Sequence, residues 1–327
     1  MLDRVRRPWS DHSAERLLGA VACLLAVGII LMIVFIVRGA WPTFSHEGLS
    51  WLGSGGSPDS QLGAMAYTSS KPPPSAFVVH AWPLIYGTIL TAGFAVLFAL
   101  AISLAASIFI VDFAPPLVRR TMKPIIRLLA AVPGVLYGLV GILVLVPLIN
   151  KYLVTESEQQ SVANVIQLTG GGLGITIVLV TLMITPIMTA LITDALESVP
   201  RAWREGAIAL GLNPLRATLA VSLRAIRPAI IAATGLAAAR AIGEAIVVSM
   251  VSGGNSFAPN PADGKIFFFE PVETLGSEIV RVAEDLGAPA VHSTLYAFAA
   301  LLLFSSFALS LSAYLVKLPL RRYQVSS

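Results

Sequence analysis

The sequence is poor in charge, cysteine and histidine, and each shortage excludes a class of function. Only 12% of its 327 residues are charged, against about 25% in a soluble domain, which argues against a soluble enzyme. Cys23 is the single cysteine, so no disulfide framework forms within the chain. With four histidines and neither an HExxH nor a GxSxG motif, an intramembrane hydrolase stays a remote alternative.

Apolar sequence is abundant instead. Hydrophobic residues make up 56% of the chain and the mean hydropathy is +0.81. Crossing the hydrocarbon core of a bilayer takes about 20 apolar residues. The fold class predicted is therefore an all-α polytopic membrane protein. Six transmembrane helices are predicted at 17–37, 83–111, 125–149, 173–193, 229–251 and 293–316.

The basic residues lie beside these windows and predict the orientation of the chain. Four segments on one side hold 15 Lys or Arg, whereas three on the other side hold 5. The basic side comprises 1–16, 112–124, 194–228 and 317–327, and the opposite side comprises 38–82, 150–172 and 252–292. By the positive-inside rule both termini are cytoplasmic. The net charge of +4 is thus a topology signal, and we expect contact with membrane lipid and no nucleic-acid binding.

Two segments on the predicted outer side differ in character. Residues 38–82 are rich in Gly, Ser and Pro, which predicts a flexible connector between an anchor helix at 17–37 and a core at 83–316. Residues 272–287 are predicted to contain a short amphipathic helix capped by Thr274. This helix fits either the outer mouth of the bundle or the lipid surface.

The inside segment 194–228 is too patterned for a simple loop. Trp203, Ala207 and Leu210 recur at helical spacing, and Gly211 is suited to ending a helix. Asn213 and Pro214 then form a cap and first-turn pair for the next helix. The pattern predicts two short helices joined by a sharp turn. Such an exposed helix suits a groove on a partner protein or the lipid interface.

Polar or helix-breaking residues occur inside two of the predicted spans. Pro133 and Gly134 predict either a break that lines a pathway or an ordinary kink. Arg240 and Glu244 are the only charges deep in a span, and their i, i+4 spacing predicts that they share a helix face. They are either a self-neutralising structural pair or part of a substrate pathway.

The inside segment resembles the EAA loop of ABC-importer permeases, whose pattern is EAA, three residues, G, nine residues, then I-x-L-P. Here the pattern reads Glu205-Gly206-Ala207, three residues, Gly211, nine residues, then Val221-Ser222-Leu223. Gly206 replaces an alanine, and Arg224 stands where proline is usual. This departure puts the turn geometry after the loop in doubt.

From about residue 80 onward the chain is most similar to PstC-type permease subunits of bacterial phosphate importers. The similarity is carried by PLIYGT, FAPPLVRR, AAVPGVLYGL, REGAIALG, RAIGE and VSMVSG. Gly134 and Ala245 stand where that family commonly has serine and threonine. The resemblance implies a five-helix type I permease core in the bacterial inner membrane, working by alternating access on phosphate. Sulfate or molybdate is the alternative cargo.

The resemblance also implies partners and residue roles. The partners are a PstA-like second permease in a heterodimer, a PstB-like cytoplasmic ATPase dimer and a PstS-like phosphate-binding protein. No cofactor is expected on this chain, because it lacks a GxxxxGK[ST] phosphate loop, and ATP with Mg²⁺ belongs to the partner ATPase. The implied coupling residues are Arg204, Glu205, Gly206, Ala207 and Gly211. The implied substrate pathway comprises Arg240, Glu244, Pro133 and Gly134, with Glu244 moderating the grip of Arg240 on the anion.

Overall fold

The computed structural model describes residues 10–66, 78–155, 168–256, 258–283 and 287–320, and the regular elements in these ranges are all helical. The α-helices in chain order are α1 (Ser10–Glu47), α2 (Pro58–Ala66), α3 (Trp82–Ile108), α4 (Pro116–Ala130), α5 (Gly134–Val140), α6 (Val146–Tyr152), α7 (Leu173–Ser198), α8 (Arg201–Ala209), α9 (Pro214–Ala217), α10 (Leu223–Ala225), α11 (Arg227–Ile242), α12 (Ile246–Val251), α13 (Leu275–Arg281) and α14 (Pro289–Leu320). Three π-helical turns, Phe109–Phe113, Gly141–Leu145 and Thr218–Ser222, join consecutive helices or extend them.

The all-helical, membrane-spanning class is confirmed. Within the described ranges, five helices are long and apolar enough to cross a membrane, and a sixth arises if a bent pair counts as one span. The five are Ala14–Leu52, Trp82–Phe113, Gly134–Tyr152, Leu173–Ser198 and Pro289–Leu315. The bent pair is Pro214–Ala225 with Arg227–Ile242, which meet at 72°.

Two of the predicted spans have different bounds in the structure. The window 125–149 is interrupted, because α4 ends at Ala130 and Pro133 has an extended backbone before α5 begins. Proline disfavours helical geometry in the residue before it, so the span starts at Gly134 rather than at 125. The window 229–251 is also divided, between Ile242 and Ile246.

The segment after the first span is more ordered than its composition predicts. Helix α1 continues to Glu47, and the side chains of Trp51, Leu62 and Met65 are buried against α14. Together with Phe298 they form one hydrophobic cluster. The prediction of a flexible connector over 38–82 is therefore wrong for the described residues 38–66, because a few large apolar side chains suffice to dock a Gly/Ser-rich segment onto an existing helix.

The central packing joins α3 to α7 through small and hydroxylated residues. Ala95 and Ala99 of α3 are buried against α7. Ser103 Oγ donates to the Thr185 carbonyl at 3.1 Å, and Ser107 Oγ donates to the Thr189 carbonyl at 3.2 Å. Small residues allow close helix approach where lipid supplies no hydrophobic driving force. These two helices form the closely packed centre of the described structure.

Helix α13 fills the predicted outer end of this bundle. Thr274 caps it, accepting a hydrogen bond from the Ser277 N–H at 3.2 Å, as the sequence predicts. The Leu275 N–H donates to Thr88 Oγ1 of α3 at 3.0 Å. Leu275 and Val282 are buried, so the helix packs into the protein and not onto a lipid surface. Residues 284–286, near the end of the predicted amphipathic segment 272–287, lie outside the described residues.

Candidate functional site

Residues 201–217 form a sharp elbow, the geometry that the sequence predicts. Helix α8 ends at Ala209, and Gly211 has a φ of +92°, a left-handed conformation that favours glycine. The Asn213 side chain accepts a hydrogen bond from the Arg216 N–H at 2.8 Å, with Pro214 in the first turn of α9. Local capping chemistry therefore accounts for the turn at Gly211 and for the start of α9.

The predicted coupling residues divide between two faces of the elbow. Glu205 and Gly206 are exposed, whereas Ala207 is buried. A Cβ atom added at Gly206 or Gly211 would meet no other atom within 4 Å, so this face is open. We call Glu205, Gly206, Leu210 and Gly211 the elbow tip.

Trp203, Ala207 and Leu210, which recur at helical spacing in the sequence, form an apolar stripe that is mostly exposed. Of its three members only Ala207 is buried, while Leu210 is 89% exposed and Trp203 is 42% exposed. Leu210 is thus left to meet either a partner or a membrane surface.

Arg204 anchors the opposite face of the elbow. It forms an ion pair with Asp112, at the end of α3, and the two side chains are 19% and 8% exposed. The same carboxylate accepts a hydrogen bond from Thr218 Oγ1 at 2.6 Å. Asp112 lies on the π-helical turn that ends α3, and Thr218 begins the π-helical turn that follows α9. One carboxylate therefore joins three elements.

A second charged group lies beside this anchor. Glu197, at the end of α7, pairs with Arg119 and Lys123 of α4. Arg119 also donates to the Val111 carbonyl at 3.3 Å. A cavity of about 340 Å³ lies between the two groups and is lined by Asp112, Arg119, Glu197, Arg204 and Glu205 among others. Charged side chains from α3, α4, α7 and α8 therefore meet at the base of the elbow.

The predicted pathway residues lie at two helix breaks that meet. Glu244 occupies the break between α11 and α12, and its Oε1 accepts a hydrogen bond from the Val247 N–H at 3.1 Å. A Cβ added at Gly134 would lie 3.1 Å from the same oxygen. Glycine therefore lets α5 approach this carboxylate closely, directly after Pro133.

Arg240 does not pair with Glu244, so the prediction that the two share one helix face is wrong. Helix α11 ends at Ile242, and the chain turns at Gly243 before Glu244 is reached. Arg240 is exposed, and no carboxylate of the described residues is within ion-pair distance of it. Pro133, Gly134 and Glu244 thus meet, while Arg240 presents a cation on the surface of a span. Such a charge is costly in lipid and is expected to face water or a polar partner.

A carboxylate cluster, formed by Asp59, Glu273, Glu278 and Arg281, links α2 to α13. Arg281 pairs with Asp59, and its Nη2 lies 2.7 Å from Glu278 Oε2. Its Nε is 3.9 Å from Glu273 Oε1. Ser256 donates to Asp59 Oδ1 at 2.9 Å. Three carboxylates therefore share one guanidinium.

Burial changes the acidity of this cluster, because a desolvated carboxylate is harder to ionise. Burial raises the pKa of Glu273 to about 7, although hydrogen bonds from Ser277 and Ser252 act in the opposite direction. Burial, and secondarily the charge of Glu273, raises the pKa of Glu278 to about 8. Burial also lowers the pKa of Arg281.

Sequence reasoning missed both Asp112 and the carboxylate cluster. Asp112 does leave a signal, because it is a lone acid between an apolar run and the Pro115-Pro116 pair. No comparable signal exists for the cluster, whose members come from residues 59 and 273–281. Only the fold brings these together.

Comparison with known proteins gives evidence on the family of this chain that does not depend on the geometry of the site. Residues 101–318 match the family model described as "Binding-protein-dependent transport system inner membrane component". Among curated relatives, the probable ABC transporter permease protein YqgH of Bacillus subtilis is 26% identical over 309 residues, 93% of this chain and 90% of the relative. The probable phosphate transport system permease protein PstC of Methanocaldococcus jannaschii is 34% identical over 183 residues, 53% and 56%. The phosphate transport system permease protein PstC of Mesorhizobium japonicum is 25% identical over 303 residues, 90% and 85%.

Solved structures share the fold at low identity. A bacterial alginate ABC transporter chain, crystallised with its alginate pentasaccharide-bound periplasmic protein, has a TM-score of 0.56 at 14% identity, covering 95% of this chain and 96% of that one. A chain of the inward-facing MetNI methionine ABC transporter has a TM-score of 0.51 at 16% identity, covering 73% and 96%. The matched family range contains the elbow and both helix breaks.

Proposed function

Because the chain belongs to the family of binding-protein-dependent transport system inner membrane components, we propose that it is the phosphate-translocating permease subunit of an ATP-driven importer. Membership makes it a multi-pass membrane transport subunit that works with an ATPase and a binding protein. Phosphate is proposed as the cargo because phosphate transport permeases recur among the relatives of this chain, one of them aligned over 90% of the chain.

The specific partners belong to this proposal. They are a PstA-like second permease in a heterodimer, a PstB-like ATPase dimer and a PstS-like phosphate-binding protein. ATP and Mg²⁺ would be bound by the ATPase, and this chain would hold no cofactor and catalyse no reaction. We place both termini in the cytoplasm, since the basic residues concentrate on that side.

The elbow tip is proposed as the surface that meets the ATPase. It projects Glu205 and Gly206 on an open face, whereas Arg204 and Ala207 hold the other face to the body of the protein. Movement of the ATPase would then shift α8 as a unit. This arrangement supports docking on a partner protein, because the exposed charges of Arg201 and Glu205 stand among exposed apolar side chains that include Leu210.

The substrate path is proposed to run along the meeting point of the two helix breaks. Arg240 would contact the passing anion, since its cation is exposed within a span. Glu244 would hold the break open by capping α12, with Pro133 and Gly134 lining the opposite side. Broken helices with free backbone groups are tolerated at membrane depth where they line a cavity, and weak contacts allow release.

Uptake of labelled phosphate into proteoliposomes containing the full complex tests the proposal. Arg240→Gln should reduce uptake at least tenfold while leaving assembly intact, because it removes the exposed cation that lies four residues before Glu244. Arg120→Gln, at an exposed position on α4, is the matched control and should transport normally.

Two results would contradict the proposal. Equal competition by sulfate or molybdate, each with its own loaded binding protein, would overturn the phosphate assignment. Loss of assembly in Arg240→Gln, instead of loss of uptake alone, would make Arg240 a structural residue.

A further inference from the structure

The end of α3 holds a buried acid that the proposed path does not use. The Asp112 side chain is 8% exposed and lies on the π-helical turn Phe109–Phe113. Such turns are rare and recur at functional positions. A carboxylate at this depth needs charged or hydrogen-bonding partners, because uncompensated burial is costly. Asp112 has two, Arg204 within the elbow and Thr218 directly after it.

These two partners lie on opposite arms of the elbow. Arg204 is on α8, before the Gly211 turn, and Thr218 follows α9, after the turn. Asp112 therefore fixes the angle between the arms and ties both to α3. An ion pair and a charged hydrogen bond on one carboxylate hold geometry better than either alone.

Helix α3 continues from this joint to the other end of the molecule. Trp82–Phe113 is a single apolar span, and Thr88 and Asp112, which are 24 positions apart in it, are separated by about 36 Å. At its far end, Thr88 Oγ1 accepts the hydrogen bond from the Leu275 N–H of α13. A Cβ at Gly87 would lie 2.2 Å from the Glu273 carbonyl oxygen, so helix and loop are in direct contact.

Helix α13 in turn contacts the break in the proposed substrate path. A Cβ at Gly276 would lie 3.2 Å from the Ala245 Cβ and 3.6 Å from the Glu244 carbonyl oxygen. By contrast, the chain that leads directly from the elbow into α11 bends by 72° around Ile226, with Pro228 in the first turn beyond the bend. The direct covalent route is thus bent between two helices, whereas Trp82–Phe113 is one unbroken span.

We propose that Asp112 is the positioning residue through which movement of the elbow reaches α3 and, by way of α13, the break at Glu244. The inference rests on the proposed function, because it assumes that an ATPase moves the elbow. It also assigns the main mechanical link to α3 and not to α11, the helix that follows the elbow in sequence. Packed elements with discrete contacts can carry such displacement over tens of ångströms.

The test uses the complete complex in proteoliposomes and compares basal with stimulated ATP hydrolysis. Asp112→Asn keeps an acceptor for Thr218 but removes the charge that holds Arg204. It should leave basal hydrolysis within twofold of the unmodified complex and reduce both stimulation by the loaded binding protein and uptake at least fivefold. The charge swap Asp112→Arg with Arg204→Asp should restore at least half of the lost coupling. Asp194→Asn breaks the exposed ion pair between Arg127 and Asp194 and serves as the matched control with unchanged coupling.

Hydrogen exchange separates failure of this inference from failure of the cargo assignment. Addition of ATP to the unmodified complex should change amide exchange in residues 272–281, and Asp112→Asn should abolish that change, whatever the cargo. Retention of the ATP response in Asp112→Asn would overturn the inference. So would equal loss of basal hydrolysis, assembly and uptake without rescue by the charge swap. If phosphate fails to stimulate the complex, the assignment of phosphate as the cargo is contradicted. The hydrogen-exchange comparison would still test the role of Asp112, because it does not depend on the cargo.

Discussion

Neutralising Glu278 is expected to stabilise the protein at alkaline pH, although it removes a partner of Arg281. The Glu278 side chain is fully buried, and it shares one guanidinium with Asp59 and Glu273. Ionisation of all three carboxylates would leave the cluster with two uncompensated negative charges. Glu278→Gln keeps the shape and the hydrogen-bonding oxygen but removes one of these charges.

The direction of the pH dependence follows from the raised pKa values of Glu273 and Glu278. The folded state holds its proton on Glu278 up to about pH 8 and on Glu273 up to about pH 7, whereas both groups ionise near 4.5 in the unfolded chain. The folded state therefore loses stability as pH rises from about 4.5 to about 8 and levels off above that range.

The raised pKa of Glu278 sets an upper limit on the free energy of unfolding that Glu278→Gln can add. One pKa unit corresponds to about 1.4 kcal/mol, so the shift of Glu278 corresponds to at most on the order of 5 kcal/mol. The Arg281 guanidinium, 2.7 Å away, offsets part of this cost. We therefore expect Glu278→Gln to gain about 2 kcal/mol at pH 8, which raises Tm by on the order of 5 °C, and to match the unmodified protein at pH 5.

Thermal unfolding of the purified chain in detergent, followed by tryptophan fluorescence from pH 5 to pH 9, measures this difference. Glu205→Gln, at an exposed glutamate of the elbow, is the control and should show no pH-dependent difference. A Glu278→Gln variant that is less stable by the same amount at every pH would refute the reasoning, because Glu278 would then act as the ionised partner of Arg281.

Two further predictions concern glycines, each with a control on the same element. Gly87→Ala should destabilise the protein by at least about 2 kcal/mol, since its Cβ would lie 2.2 Å from the Glu273 carbonyl oxygen; Gly93→Ala, with no atom within 4 Å, should leave Tm unchanged, and equal Tm values for the two would contradict the packing described. Gly211→Ala should strain the elbow by about 1–2 kcal/mol because of its φ of +92° and weaken ATPase binding in a pull-down assay, whereas Gly206→Ala should fold normally.

Local chemistry explains which parts of the elbow were predictable. The Gly211 turn and the Asn213 cap depend on residues within four positions of each other. Both can therefore be predicted from the local sequence. With Arg224 in place of the usual proline, the chain bends by 72° at this joint, and Pro228 stands in the first turn of α11. The Pro133 break was likewise foreseeable, although not its effect on where the third span begins.

Contacts between distant segments explain what sequence reasoning missed. The break before α12 carries a single glycine, Gly243, and is held by the Glu244 cap and by the approach of Gly276. Helical periodicity alone therefore predicts a continuous helix that places Glu244 on the same face as Arg240. The docking of residues 38–66 likewise depends on α14, more than 200 positions away.

The sequence by itself determined the membrane class, the positions of most apolar helices, the elbow and the family resemblance, because hydropathy, capping and motif spacing are properties of short segments. The tertiary structure alone decided that Asp112 binds both arms of the elbow, that Gly134 meets Glu244, and that three carboxylates converge on Arg281. Each of these depends on which side chains the packing of α3, α7 and α13 brings within bonding distance. Burial and ion pairing act over a few ångströms in space and leave no periodic trace along the chain.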